Sequence, residues 1–196
     1  MDDTLRSLLR DLEDFGATND ARANARHEKM LNITPETGEF LAILVLSAKA
    51  RRVLEIGTSN GYSTLWLAEA VKAISGSVVT VEVSAAKAEM ARSNLERSGL
   101  SRWVRQEVTE AGQFLGQQRP ATFDVLFLDA DREQYLAWWP WIQEALAPGG
   151  LLVMDNAVSH AAELHGFIAQ VRATPGWRSL VVPIGNGEFV ALKPVQ

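Results

Sequence analysis

The sequence predicts an α/β fold: an open, mostly parallel sheet with one antiparallel strand and helices on both faces. Three observations carry it. Short apolar runs alternate with helix-period stretches along the chain from Arg52 onward, and that rhythm joins parallel strands through right-handed crossovers. A glycine turn from Gly57 to Gly61 separates a strand-like run from a helix, the junction at which open α/β sheets hold ligands. Gly185-Asn186-Gly187 divides the last two apolar runs, a hairpin signal that makes one closing strand antiparallel.

Taken in order, Asp2 or Asp3 caps a first helix. Its Leu5, Leu8, Leu9, Leu12 and Phe15 share a face, and Gly16 ends it. Residues 17–30 are polar and rich in Arg and Asn, a loop or loosely packed helix in which His27 reads as part of a solvated connector. Thr34 is an N-cap, Pro35 a first helical residue and Glu36 an acid in the first turn, where the dipole favours it. That second helix shows Phe40, Leu41, Leu44 and Val45 as its apolar face. Strand 52–56, helix 62–73, strand 78–82 and helix 85–97, stopped by Gly99, follow. A strand at 103–108, a short helix at 110–116, strand 124–129 and helix 133–146 come next. Pro148-Gly149-Gly150 turns the chain into strand 151–154, a helix spans 160–172, and strands at 178–183 and 188–193 close the sheet. Residues 1–30 form an N-terminal helix and connector and residues 31–196 the sheet-bearing part, one domain overall.

Composition narrows the function classes. The 196 residues, 47% of them hydrophobic, suit one domain with a sizeable core. Net charge is −5, and the 19 basic residues are scattered, which argues against nucleic acid as the main partner. With no cysteine there is no disulfide framework, thiolate metal site or thiol nucleophile. The acidic, amphipathic N-terminus is unlike a secretory signal, and no apolar run approaches membrane-spanning length, so the expected compartment is the cytoplasm, with no membrane partner.

The stretch from Arg52 to Glu69 organises the rest. Glycines let a ligand approach the backbone, and a helix N-terminus offers free N–H groups. No Gly-Lys-Ser/Thr follows, so this is no phosphate loop, and the three-glycine dinucleotide fingerprint is absent. Glu55, two residues before the first glycine, prefers a cationic partner, such as the α-ammonium and sulfonium of S-adenosylmethionine. Glu-Ile-Gly-Thr-Ser-Asn-Gly-Tyr-Ser-Thr resembles the first motif of the cation-dependent O-methyltransferases, the family of catechol and caffeoyl-CoA O-methyltransferases. The competing reading is an ordinary strand–helix turn with a solvent-reaching acid.

The resemblance spans roughly residues 30–194 and implies the seven-strand methyltransferase version of the Rossmann-like sheet. It implies cofactor contacts at Glu55, Gly57, Thr58, Ser59, Gly61, Tyr62 and Ser63, at Asn32 and Ile33, which lie across the cofactor, and at Asp129. Glu82 ends the second strand, where an acid accepts both hydroxyls of a ribose; adenosylmethionine and NAD both carry that ribose. Val83 lies against the adenine, as does Ala111, although the family's Gly-Asp-Ala is Thr109-Glu110-Ala111 in this chain.

A second constellation is sharper. Phe-Leu-Asp-Ala-Asp-Arg ends a strand at Asp129, and Val-Met-Asp-Asn ends the next at Asp155 and Asn156. Two carboxylates and a carboxamide form an all-oxygen set suited to a hard cation, Mg²⁺ or a similar divalent ion. The resembling family uses Asp, Asp and Asn here to hold an ion that chelates two vicinal aryl oxygens. Acids at strand ends also cap helices, which is the structural alternative.

The chain departs from the family where a base is needed. The family has Lys three residues after the first ligand Asp; this chain has Arg132, which is always protonated and cannot accept a proton. Arg132 is left to stabilise an oxyanion or hold an anionic substrate, and Asp131 and His160 are the candidate bases. On a helix the His160 and Glu163 side chains could pair. Trp138, Trp139 and Trp141 crowd one helix, as core or homodimer-interface residues rather than a substrate cage. The resulting expectation is an S-adenosylmethionine-dependent O-methyltransferase acting on a small hydroxylated aromatic with a divalent ion. The rivals are a cofactor-binding protein without turnover and an NAD-dependent oxidoreductase, against which the missing third glycine and Glu55 both speak.

Overall fold

Val53-Leu54-Glu55-Ile56 lacks the polar alternation of a half-exposed strand, and strands of that kind are covered on both faces. In the computed structural model, which describes residues 1–195, it is β1 (Arg52–Ile56), an inner strand of a seven-stranded sheet. β1 pairs in parallel with β2 (Ser77–Glu82) on one side and β4 (Phe123–Leu128) on the other. β3 (Val104–Val108) lies outside β2, and β5 (Leu146–Met154) lies beyond β4, both parallel. β7 (Glu188–Leu192) is inserted antiparallel between β5 and β6 (Arg178–Val182), giving the order β3-β2-β1-β4-β5-β7-β6. The predicted mostly parallel sheet with one antiparallel strand is the observed one.

Among the described residues seven α-helices cover the sheet: α1 (Asp3–Arg22), α2 (Pro35–Ser47), α3 (Tyr62–Ala73), α4 (Ala85–Ser98), α5 (Ala111–Leu115), α6 (Tyr135–Ala145) and α7 (Ala161–Ala173). Strand side chains alternate between faces, which divides the core in two. Leu54, Ile56, Leu126 and Leu128 pack with Trp138, Trp139 and Ile142 of α6 and Phe167 of α7. Val53, Val125 and Phe127 pack with Leu8 and Leu12 of α1, Leu41 and Val45 of α2, and Leu65 and Leu67 of α3. Thr34 caps α2 by accepting from Thr37 N at 3.2 Å, with Pro35 behind it as predicted.

Several local expectations change. α1 does not stop at Gly16 but runs on to Arg22. Gly16 is there because Asn32 packs on it: a Cβ would lie 2.7 Å from Asn32 Nδ2, so close approach outweighs the roughly 1 kcal/mol that a helical glycine costs. Phe15 leaves the buried face and is 43% exposed. β5 begins at Leu146, ahead of Pro148-Gly149-Gly150, and the turn residues become a register shift against β4. Trp138 and Trp139 are core residues, Trp139 edge-on to Phe167 at 5.7 Å, whereas Trp141 is 39% exposed. Among the described residues no helix is long and apolar enough to cross a membrane.

Candidate functional site

The chain leaves β1 toward β2 on one side and returns through β4 on the other, which opens a crevice above the carboxyl ends of these strands. A cavity of about 1030 Å³ fills it. Its wall follows the strand order, with Glu82 and Val83 after β2, Gly57 to Ser59 after β1, Asp129 to Arg132 after β4, and Asp155 and Asn156 after β5. A second hollow of about 780 Å³ at the opposite sheet edge holds the Arg52–Asp124 pair and none of the predicted residues.

The turn after β1 is built by close approach. Gly57 has φ +102°, and a Cβ on it would overlap the Asp129 carbonyl oxygen, so only glycine lets β1 and β4 end side by side. Gly61 takes φ +87° to cap α3. Glu82 is clamped by two backbone amides, Ser59 N donating to Oε2 at 2.9 Å and Ser84 N to Oε1 at 2.8 Å. Its carboxylate is therefore fixed at the rim, beside Val83.

Glu55 requires a correction. It is fully buried and absent from the cavity wall, with Ser63, Thr64 and Thr80 hydroxyls donating to it at 2.6, 2.5 and 2.6 Å. Burial pushes its carboxyl up to about 7 against those three hydrogen bonds. A charged ligand group is reached only through Ser63, which does line the cavity. Gly61 is likewise behind the wall, while Asn32, Ile33, Tyr62, Ala111 and the remaining predicted cofactor residues are on it.

Asp129, Asp155 and Asn156 converge. Asn156 Nδ2 lies 3.0 Å from Asp155 Oδ2 and 3.4 Å from Asp129 Oδ1, and Asn156 holds φ +70°, a left-handed conformation that asparagine tolerates. Asp155 Oδ1 is buried with no hydrogen-bond partner. Burial, then the neighbouring Asp155 and Glu55 charges, push the Asp129 carboxyl far above the carboxylate range, and burial raises Asp155. Among the described residues no three His, Cys, Asp or Glu side chains form a metal cluster by themselves; the carboxamide is the third donor. An unpartnered buried carboxylate oxygen beside mutually repelling acids fits a hard cation bound through oxygen.

The candidate bases stand differently from expectation. His160 and Glu163 do not pair. Glu163 Oε2 accepts from Arg132 Nε at 2.7 Å, and His160 Nδ1 lies 2.9 Å from Ser159 Oγ. The cause is the helix start: His160 is the N-cap of α7, outside its helical turn. Asp131 accepts from Glu133 N at 3.3 Å and caps the turn at 132–134. Asp131, Arg132 and His160 all line the cavity, and Glu163 does not.

Sequence reasoning missed the near wall. Arg26, His27 and Met30 line the cavity because the segment folds back over it. Asp20 accepts from Met30 N at 2.6 Å and Leu31 N at 2.9 Å, Ser59 Oγ donates to Met30 O at 2.8 Å, and Lys87 Nζ to Lys29 O at 2.6 Å. Only Asp20 hinted at this, as an acid within a basic stretch. Asn186 at the hairpin tip also reaches the cavity.

Residues 6–191 match the O-methyltransferase family. The chain belongs to that family. It is 37% identical over 138 residues to a catechol O-methyltransferase of Mycobacterium tuberculosis, covering 70% of this chain and 62% of that protein. The chain thus spans about three fifths of the length of the curated relatives it matches. The O-methyltransferase from Bacillus cereus in complex with SAH superposes with TM-score 0.79 at 30% identity, over 98% of this chain and 91% of that one. The O-methyltransferase from Streptomyces achromogenes involved in tomaymycin synthesis, in complex with SAM, gives 0.78 at 26% over 99% and 91%.

Proposed function

We propose that this family member transfers a methyl group from S-adenosylmethionine to a hydroxyl of a small, catechol-like aromatic, with a divalent cation, Mg²⁺ or similar, at Asp129, Asp155 and Asn156. One observation carries the reading: a single cavity has an amide-clamped carboxylate at its β2 end and an oxygen cluster at its β4–β5 end. The relatives named as catechol O-methyltransferases and the SAM- and SAH-bound neighbours support it.

In this reading Glu82 accepts the ribose hydroxyls while Val83 and Ala111 flank the adenine. Ser63 and the turn at 57–59 hold the methionine end, and the strap from Arg26 to Ile33 excludes water. A divalent ion, when bound, lowers the basicity of the acceptor oxygen and aligns it with the methyl. The acceptor oxygen gains the methyl, the sulfonium leaves as a neutral thioether, and the hydroxyl proton passes to water. Arg132, tied to Glu163, lends positive charge to the acceptor end and accepts no proton.

The test is incubation with S-adenosylmethionine and a catechol panel, with Mg²⁺ or with excess EDTA, read by mass spectrometry. A methylated catechol formed only with metal is the expected result. Full turnover in EDTA, with metal removal verified by elemental analysis, refutes the catalytic cation. No transfer to any hydroxylated aromatic refutes the acceptor class.

A further inference from the structure

Glu188 opens β7 and is wholly buried, yet no sequence motif singled it out. Its Oε1 accepts from Thr37 Oγ1, in the first turn of α2, at 2.9 Å. The antiparallel register that pairs Met154 with Phe189 sets Glu188 beside Asp155, one position further along the two strands. Glu188 Oε2 and Asp155 Oδ1 are both buried without a hydrogen-bond partner. Asp155 is therefore held by Asn156 Nδ2 within the cavity and flanked by the buried Glu188 on the neighbouring strand. Glu188 is absent from the cavity wall, so it reaches no ligand itself.

A buried carboxylate pair among apolar neighbours is costly unless something is gained by it. Packing alone does not explain the choice: the flanking Phe189 is apolar and equally buried. Groups that orient a ligating side chain from behind govern metal affinity strongly. We propose that Glu188, anchored by Thr37, is a positioning residue of the cation site: it fixes the rotamer of Asp155 and thereby sets how tightly a divalent ion is held. The inference rests on the cation reading above. It also ties the cation site to α2, whose N-terminal approach carries Asn32 and Ile33 along the same cavity.

The experiment measures Mn²⁺ binding to the full chain, without cofactor or acceptor, by the loss of the free-ion electron paramagnetic resonance signal. Glu188→Met keeps the volume and removes the carboxyl beside Asp155; it is expected to weaken Mn²⁺ binding about 10–100-fold. Glu188→Gln keeps an oxygen for Thr37 and a polar group beside Asp155, and should stay within about threefold of the parent. Thr37→Val frees Glu188 without touching the ligands, and should weaken binding by a smaller factor. Folding is checked by circular dichroism; if Glu188→Met does not fold, Thr37→Val decides. Asp129→Asn separates the two claims. If it loses Mn²⁺ while folded Glu188→Met and Thr37→Val bind as the parent does, Glu188 is merely structural and the inference is overturned alone. A parent protein that binds no Mn²⁺ overturns the cation reading and this inference together.

Discussion

Ser63 Oγ donates to Glu55 Oε1 at 2.6 Å from the cavity wall inward, so the acid of the glycine-turn motif meets the ligand space only through a serine. Its carboxyl, raised to about 7 chiefly by burial, has a stability consequence. Between the unfolded pKa near 4.5 and the folded value the native chain holds a proton that the unfolded chain has released, so stability falls as pH rises through that window. The loss approaches the order of 3 kcal/mol by pH 8. Glu55→Gln, which cannot ionise, should flatten the decline in urea midpoint from pH 5 to pH 8 and leave adenosylmethionine affinity within a few-fold. Identical pH slopes for parent and variant would show that Glu55 is ionised throughout.

Glu82 makes the opposite case. Two backbone amides hold its carboxylate at the rim, so its orientation is fixed before any ligand arrives. Glu82→Ala should weaken adenosylmethionine binding by about 1.5–3 kcal/mol, the range for a hydrogen bond to a charged group. Titration calorimetry on a variant with native circular dichroism is the check; unchanged affinity removes Glu82 from the ribose site.

What was legible in the sequence follows from how locally each feature is encoded. Helix α3 begins and ends where Gly61 and the apolar period place it, and β7 is antiparallel because Gly185-Asn186-Gly187 can only reverse the chain. Strand-end acids such as Asp129 and Asp155 came together because topology puts parallel strand ends at one edge. Features depending on contacts between distant segments were not legible. Gly16 looked like a helix stop because Asn32, which presses on it, is far along the chain. Glu55 looked like a ligand residue because its three hydroxyl partners come partly from β2. Arg26 and His27 looked solvated because the bonds by which Asp20 folds their segment over the cavity reach ahead to Met30 and Leu31 and leave no local periodicity.

Arg132 is mostly buried, its side chain 7% exposed, and it pairs with the Glu163 carboxylate on α7. Guanidinium at this place lends charge without taking a proton. Arg132→Ala should raise the acceptor KM about tenfold and leave adenosylmethionine affinity unchanged, read by steady-state kinetics beside calorimetry. A fall in kcat of more than about a hundredfold at unchanged KM would instead mark an interaction made only in the transition state.

The last prediction concerns where the acceptor proton goes. Arg132 is excluded by its chemistry, and Asp131 is a backbone cap on the exposed turn at 132–134. His160 faces the cavity, but its Nδ1 is engaged by Ser159 Oγ at 2.9 Å, and its backbone sits at the N-cap of α7 with φ −121° and ψ 36°. Its placement is thus set by the chain reversal after Asn156, where Ala157, Val158 and Ser159 amides all donate to the hairpin tip. The Ser159 contact occupies one of the two His160 ring nitrogens, and the proposed route gives the proton to water. His160→Ala should accordingly retain turnover within about tenfold, with a pH–rate profile superimposable on that of the parent. A general base contributes about 10²–10⁴-fold, so a loss of that size in a folded variant, with unchanged Mn²⁺ and cofactor binding, would make His160 the proton acceptor and overturn the water route.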